Sequence, residues 1–230
     1  MATQGGSETG DVPELAGQAT ENDHQTKGLE RLIGLTDDVF AFAITVLVLD
    51  LVAPSILGPE TNASLAQGLQ NESSLFLNFF VSFWVIGILW LGHHRIFRYI
   101  RSSDSQLLFQ NLIFLFFVVL VPFSTRILDA YTHVPLSSIL FALILTGASL
   151  MTALIWRYAS SRNRHLVGET TSPLLRRWLW VHSLVAPAIF CLSMALALVN
   201  TYAPIVSWLA IFPVLMFVDR HYRKKMPQST

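Results

Sequence analysis

The stretch RLIGLTDDVFAFAITVLVLDL, residues 31–51, joins a charged beginning to an apolar continuation. Arg31, Asp37 and Asp38 lie in its first eight residues, whereas residues 39–49 carry no charge. An ionised side chain at the centre of a membrane helix costs roughly 2.5–3.5 kcal/mol on insertion scales, so such groups normally pair, face water or lie near the interface. The stretch therefore predicts either an ordinary capped helix start or a buried polar cluster between helices.

The composition of the whole chain indicates a membrane protein. Of its 230 residues, 53% are hydrophobic and 13% are charged, and the mean hydropathy is +0.52. Soluble domains of this length are less apolar. The single cysteine, Cys191, excludes an intrachain disulfide and a thiolate metal cluster. Strand-like alternation is absent from the sequence, and lipid admits only helices or closed barrels, so the fold class is predicted to be all-α.

Six apolar stretches approach the length of about 20 residues that a helix needs to cross a bilayer. Together they predict a six-helix transmembrane channel domain over residues 31–219. A disordered cytoplasmic tail is expected before it, over residues 1–30, because that segment is polar and has no apolar core. A short basic cytoplasmic tail is expected over residues 220–230. The predicted spans are 32–53, 75–97, 106–128, 136–158, 178–199 and 203–219.

The basic residues are strongly segregated between the two ends of these spans. Of fifteen Lys and Arg residues, fourteen fall on one side and only Arg126 falls on the other. Cytoplasmic loops carry the excess of Lys and Arg, so both termini are predicted to be cytoplasmic. That orientation requires an even number of spans, which agrees with the count of six.

One face of the first predicted helix has a distinctive pattern. Phe42, Val46 and Leu49 follow each other at helical spacing, and Thr45 lies beside them. If several copies of this face surrounded an axis, they would form apolar rings that gate by dewetting, together with a ring of hydroxyl oxygens able to discriminate among cations. An ordinary helix-packing face has the same periodicity, and the spacing alone does not separate the two interpretations.

Three stretches together resemble a known family. The segment 31–45 is similar to the first-helix signature Arg-x-x-x-Phe-Ser-Asp of the transmembrane protein 175 family, which comprises lysosomal potassium channels and shorter bacterial homologues. Leu35 replaces the Phe of the signature, and Thr36 replaces its Ser. A Trp-x-x-His pattern with a following arginine occurs in FWVIGILWLGHHRIFRYI, residues 83–100, and the third predicted span, QNLIFLFFVVLVPFST, residues 110–125, also resembles the family.

The resemblance implies a potassium-preferring cation channel that lacks the Thr-Val-Gly-Tyr-Gly filter and conducts between first helices gathered around an axis. A chain with one set of six spans is then expected to form a homotetramer. The implied pore constriction is Phe42, where the family usually has Ile or Leu, followed by Val46 and Leu49 as further layers of a hydrophobic gate. Thr45 matches the hydroxyl layer associated with potassium preference, so the potassium pathway is expected to pass near it.

The same resemblance implies a structural polar network that fixes the first helix against its neighbours. Its expected members are Arg31, Thr36, Asp37, His94 and Asn111. The role of Asp38 stays open, because bacterial relatives often have Gly at that position. A carboxylate there could line a wet cytoplasmic vestibule and concentrate cations.

Other classes of function find less support in the sequence. Adjacent residues of a helix point about 100° apart, so His93 and His94 do not ligate one metal. Motifs of enzymes are missing, and we expect no enzymatic activity, cofactor, structural metal or nucleic-acid partner. The expected partners are potassium ions, membrane lipids and further copies of the chain, in a bacterial inner membrane. A proton- or cation-coupled secondary transporter is the rival interpretation, since prolines interrupt several apolar runs.

Overall fold

The computed structural model describes residues 11–56, 58–161, 166–168, 171–200 and 203–223. These residues form helices joined by short connections, and their only β-type contact is an isolated antiparallel bridge between Ile100 and Val167. The all-helical prediction is therefore confirmed. The helices are α1 (Asp11–Val48), α2 (Asn62–Asn71), α3 (Ser73–Phe97), α4 (Ser105–Ala130), α5 (Pro135–Ala159), α6 (Pro173–Ala197), α7 (Ala203–Leu209) and α8 (Ile211–Arg223).

Four of the described helices, α3 to α6, are long and apolar enough to cross a membrane. Each has 25 or 26 residues, which at a rise of 1.5 Å per residue gives about 37–39 Å. That length exceeds the hydrocarbon thickness of about 30 Å. The protein is therefore a multi-pass membrane protein, with four such helices where the sequence predicts six.

Helix α1 includes residues 32–48 of the first predicted span, 32–53, but ends at Val48 and so differs from it in extent. It begins at Asp11, so residues 11–30 are helical where a disordered tail was predicted. Extending a helix is far easier than nucleating one, and the packed part of α1 provides the nucleus for a segment rich in Ala, Glu, Gln and Leu. Helix α1 is not one of the four apolar helices, because its apolar part also contains Arg31, Asp37 and Asp38. Residues 1–10 of the predicted tail lie outside the described residues.

The sixth predicted span is interrupted. A turn at Ala210 separates α7 from α8. Pro213 explains the break, because proline has no backbone N–H with which to bond the carbonyl of Leu209 and its ring clashes there. The helical pattern resumes where the Val214 N–H donates to the Ala210 carbonyl at 3.1 Å. Residues 220–223 of the predicted C-terminal tail continue α8, and residues 224–230 lie outside the described residues.

The helices pack in an order that follows the chain. Helix α1 packs against α3 and α4, α5 lies between α4 and α6, and α7 and α8 pack on α6. Gly147 allows a close approach of α4 and α5, since a Cβ there would lie 2.4 Å from the Phe117 ring. Buried large side chains at the centre include Phe114, Phe141 and Trp156.

Side-chain caps define where several helices begin. Asp104 accepts a hydrogen bond from the Leu107 N–H at 2.8 Å at the start of α4, and its other oxygen accepts one from the Tyr158 hydroxyl at 2.6 Å. Ser172 caps α6 by accepting from the Leu175 N–H at 3.2 Å. Both caps satisfy backbone N–H groups that have no partner within their helix. The bond between Asp104 and Tyr158 also joins the beginning of α4 to the end of α5.

Candidate functional site

The inward face of α1 is packed against α3 and α4. Thr36, Phe40, Ala43 and Leu47 are all buried, and they recur at spacings of three and four residues. The Phe40 ring lies 5.7 Å from that of Phe114 on α4. This face is an ordinary helix-packing surface apart from one polar residue, Thr36, whose exposed fraction is 0%.

A chain of hydrogen bonds surrounds Thr36 and joins three helices. The Asn111 side-chain N–H group donates to Thr36 Oγ1 at 2.9 Å, and the Thr36 hydroxyl donates to the Leu32 carbonyl at 2.8 Å. Because the amide nitrogen of Asn111 donates to Thr36, its amide oxygen Oδ1 is the atom that lies 2.8 Å from His93 Nε2. His93 therefore carries its proton on Nε2 and donates. Each member is buried and satisfied, which is the condition under which a polar network stabilises a core.

His93, and not His94, belongs to this network. Its ring stacks between those of Phe97, at 4.0 Å, and Phe114, at 5.1 Å. Adjacent residues of α3 point about 100° apart, and the buried face of α3 includes position 93, so within the single chain the network holds His93 where the sequence predicts His94. His94 is exposed and stacks on Trp90, with ring centroids 5.4 Å apart.

The charged members of the predicted network are separate from it. Asp37 is exposed, and its carboxylate accepts a hydrogen bond from Trp90 Nε1 at 2.8 Å. This contact ties α1 to α3 at the rim of the bundle. Arg31 is exposed, and none of the hydrogen bonds or ion pairs among the described residues involves it. The single chain thus brings Thr36 and Asn111 together, places Asp37 beside them, and leaves Arg31 outside.

The opposite face of α1 is exposed along its length. Phe42 is 67% exposed and Leu49 is 70% exposed. Thr45 lies between them and is also exposed, and its hydroxyl donates to the Phe42 carbonyl at 2.9 Å. Val46 lies at the flank of this face and is half-buried. We refer to Asp38, Phe42, Thr45 and Leu49 as the α1 stripe, because the first three follow one another along the exposed face of α1 and Leu49 continues the row in the turn directly after Val48.

The end of α1 near residue 50 is held by an ion pair that the sequence did not reveal. Asp50 pairs with Arg126 of α4, and nearby the Asn78 side-chain N–H group donates to Asp129 at 3.1 Å. These side chains line a cavity of about 150 Å³. The only indication in the sequence is that Arg126 is the one Lys or Arg on its predicted side of the membrane, while Asp50 is an acid near the end of the first predicted span.

A second cluster joins α3, α6 and α8 at the opposite end of the bundle. Arg95 contacts His182 with 3.0 Å between its guanidinium nitrogen and Nδ1, and its guanidinium lies over the Trp178 ring at 5.9 Å. Trp178 Nε1 in turn donates to Asp219 at 3.1 Å. Trp178 therefore acts as a hydrogen-bond donor within the protein.

Two bacterial proteins are similar to this chain over much of its length. A potassium channel from Streptomyces collinus is 34% identical over 142 residues, which cover 59% of this chain and 66% of the relative. A potassium channel from Chamaesiphon minutus is 32% identical over 139 residues, covering 59% of this chain and 68% of the relative. The chain thus spans about two thirds of the length of these relatives.

A vertebrate relative and a solved structure extend the comparison. The endosomal/lysosomal proton channel TMEM175 from Bos taurus is 29% identical over 162 residues, which cover 66% of this chain but 33% of that protein. The crystal structure of a TMEM175 homologue from Chamaesiphon minutus, described as a lysosomal potassium-selective channel homologue, superposes with a TM-score of 0.68. It covers 85% of this chain and 98% of that one at 22% identity.

The fold and the site define a multi-pass α-helical membrane protein whose first helix is packed on one face and unpartnered on the other. Residues 31–122 match the family described as endosomal/lysosomal potassium channel TMEM175. With this match and the identity to its bacterial relatives, the chain belongs to the TMEM175 family. The matched region contains residues 31–48 of α1, the polar network and the α1 stripe.

Proposed function

We propose that the protein is a potassium-preferring cation channel whose ion pathway runs between copies of the α1 stripe. The observation that carries this proposal is the composition of the exposed face of α1. An acid, Asp38, and a hydroxyl, Thr45, alternate there with Phe42 and Leu49. Away from the helix ends, the exposed large side chains of α3 to α6 are apolar and suit contact with lipid. A face that mixes a carboxylate with apolar residues suits a wet axis better than hydrocarbon.

In the proposed pathway Phe42 forms the narrowest ring and Leu49 forms a further apolar layer. Rings of apolar side chains gate by dewetting, because a narrow apolar passage holds water poorly. Val46 contributes from the flank, consistent with its half-buried position. Thr45 supplies the hydroxyl oxygens that favour potassium. The names of the two bacterial relatives support the choice of ion.

The proposed assembly is a homotetramer with six crossings in each chain. The C-terminal half of α1 provides the first crossing, α3 to α6 provide four, and the α7–α8 pair provides the last. The predominance of basic residues at one end of the helices supports an orientation with both termini in the cytoplasm. A bacterial inner membrane is the proposed location. Four copies would bring the α1 stripes together around one axis, with Arg31 available to neighbouring chains.

Two alternatives differ from this proposal in the ion or in the mode of transport. Proton conduction is favoured by the name of the Bos taurus relative. A coupled secondary transporter is the second alternative, because Pro122 and Pro187 lie inside membrane-length helices and broken helices are typical of carriers. A coupled carrier depends on a second ion gradient, whereas a channel conducts without one.

The experiment is ion flux from proteoliposomes that contain the purified protein. Vesicles loaded with potassium are compared with sodium-loaded and protein-free vesicles under an imposed voltage, and internal pH is recorded in parallel. We expect potassium efflux that exceeds sodium efflux and does not require a gradient of a second ion. Efflux that requires a proton gradient would identify a carrier. Proton flux without potassium flux would identify a proton channel, and the absence of any flux would contradict the proposed function.

A further inference from the structure

Two adjacent acids of α1, Asp37 and Asp38, have opposite environments. Asp37 is held by the Trp90 indole at 2.8 Å and so is part of the contact between α1 and α3. Asp38 is exposed, and none of the hydrogen bonds or ion pairs among the described residues involves it. Within the part of the chain that the structure describes, no polar contact gives Asp38 a structural role.

The position of Asp38 on α1 relates it to the proposed constriction. Asp38 precedes Phe42 by four residues, or about 6 Å along the helix, and by about 40° around it. It precedes Thr45 by seven residues, which returns it to nearly the same angular position. The packed face, with Thr36 and Leu47 at its centre, lies on the opposite side of the helix. Asp38 is thus the first member of the α1 stripe on the cytoplasmic side of Phe42.

We propose that Asp38 is a further determinant of ion conduction, which attracts cations to the cytoplasmic mouth of the pathway and raises their concentration below the Phe42 ring. This inference rests on the proposed function, since it requires a pathway along α1. Several copies of one carboxylate around a narrow wet mouth create a field that attracts cations and repels anions. The attraction is strongest at low ionic strength, where screening is weak.

Arg31 is the charged group that could cancel this effect. It lies seven residues before Asp38 on the same exposed face, about 10 Å along the helix, which is too far for a contact within one chain. An Arg31 from a neighbouring copy that paired with Asp38 would neutralise the carboxylate. Asp38 would then serve assembly instead of conduction, and the two roles predict different responses to salt.

The test is single-channel recording in planar bilayers of wild type, Asp38→Asn, Asp38→Glu and Glu30→Gln. Glu30 is an exposed acid of the same helix that lies off the stripe, so Glu30→Gln is a control for the loss of one charge per chain. Each protein is measured in symmetric KCl at about 0.01 M, where the Debye length is near 30 Å, and at about 1 M, where it is near 3 Å.

We expect Asp38→Asn to reduce potassium current severalfold at low salt, mainly for ions that enter from the cytoplasmic side, and to match wild type at high salt. Asp38→Glu and Glu30→Gln should behave as wild type at both salts. Melting temperature and elution volume should be the same for all four proteins, because Asp38 is exposed and forms no hydrogen bond or ion pair with the described residues.

Three results would overturn the inference. Equal low-salt currents in wild type and Asp38→Asn would show that the carboxylate does not attract ions. A loss of current that is the same at both salts, or a failure of Asp38→Asn to fold or assemble, would show that Asp38 is structural. A wild-type protein that carries no current would contradict the proposed function itself, and this inference would fall with it.

Discussion

The two faces of α1 differ in almost every physical respect although they share one segment of chain. The packed face buries Thr36, Phe40 and Leu47 against α3 and α4, and its one polar group is fully hydrogen-bonded. The exposed face carries Phe42, Thr45 and other large or polar residues whose side chains are largely exposed. The difference teaches that one helix serves two tasks. One face packs within the chain, and the other is exposed, where the proposed function places ions and further copies.

If this division is correct, substitutions on the two faces have separable consequences. Changes on the packed face reduce stability, because they leave buried groups unpaired or open cavities. Changes on the exposed face alter flux and leave the fold of each chain unaffected. The adjacent pair Asp37 and Asp38 shows how sharp the division is. Asp37 accepts a hydrogen bond from Trp90, whereas Asp38 forms no hydrogen bond or ion pair with the described residues.

The largest effect on stability is expected for Asn111→Leu. The substitution removes the acceptor of the buried His93 N–H and the donor to Thr36, so the free energy of unfolding should fall by about 3 kcal/mol. Thermal melting of the detergent-solubilised protein measures the loss. Phe42→Ala, on the exposed face of α1, is the matched control and should melt as wild type does. Equal melting of Asn111→Leu and wild type would contradict the structural role of the network.

The largest effect on conduction is expected for Phe42→Ala. Removing the ring widens the narrowest apolar layer and lets water occupy it, so the potassium flux should rise severalfold. Flux from proteoliposomes at equal protein content measures the change. Val48→Ala, which shortens an exposed side chain at the flank of the same helix, provides the comparison and should leave flux unchanged. A flux equal to wild type in Phe42→Ala would remove this residue from the gate.

A smaller and more specific effect is expected for Thr45→Val. Valine keeps the shape of threonine but has no oxygen, so the ratio of potassium to sodium permeability should decrease while the protein still conducts. Reversal potentials under bi-ionic conditions measure that ratio. Thr45→Ser retains the hydroxyl and should retain the preference. If Thr45→Val remained as selective as wild type, the discrimination would have to arise elsewhere along the pathway.

The smallest effect is expected for Trp90→Phe, which tests the rim of the packed face. Phenylalanine keeps an aromatic ring beside His94 but does not donate to Asp37, so stability should fall by about 1 kcal/mol. The conductance should stay at the wild-type level, because Asp37 does not belong to the α1 stripe. Thermal melting and flux on the same preparation separate the two quantities. A strong loss of conductance with unchanged melting would place Asp37 in the pathway.

Much of the architecture could be predicted from the sequence because hydropathy and helix length are local properties. The apolar runs that correspond to α3, α4, α5 and α6 are visible without any knowledge of partners, and the structure confirms them. Pro213 indicates a break in the last helix, although the apolar residues around it predict one continuous span. The first-helix signature identified the family and the segment on which the candidate site lies.

Only the tertiary structure decided which side of each helix faces which partner. Thr36 and Asn111 are 75 residues apart in the chain, and the choice of His93 over His94 depends on a rotation of about 100° that packing alone sets. The pairing of Asp50 with Arg126 likewise required the end of α1 to lie beside α4. The physical reason is that a hydrogen bond or an ion pair depends on distance and direction, which a periodic pattern along one helix does not contain. The sequence by itself determined the class of protein, its four membrane-length helices and its family, and the packing of α1 against α3 and α4 decided which face of α1 remains exposed.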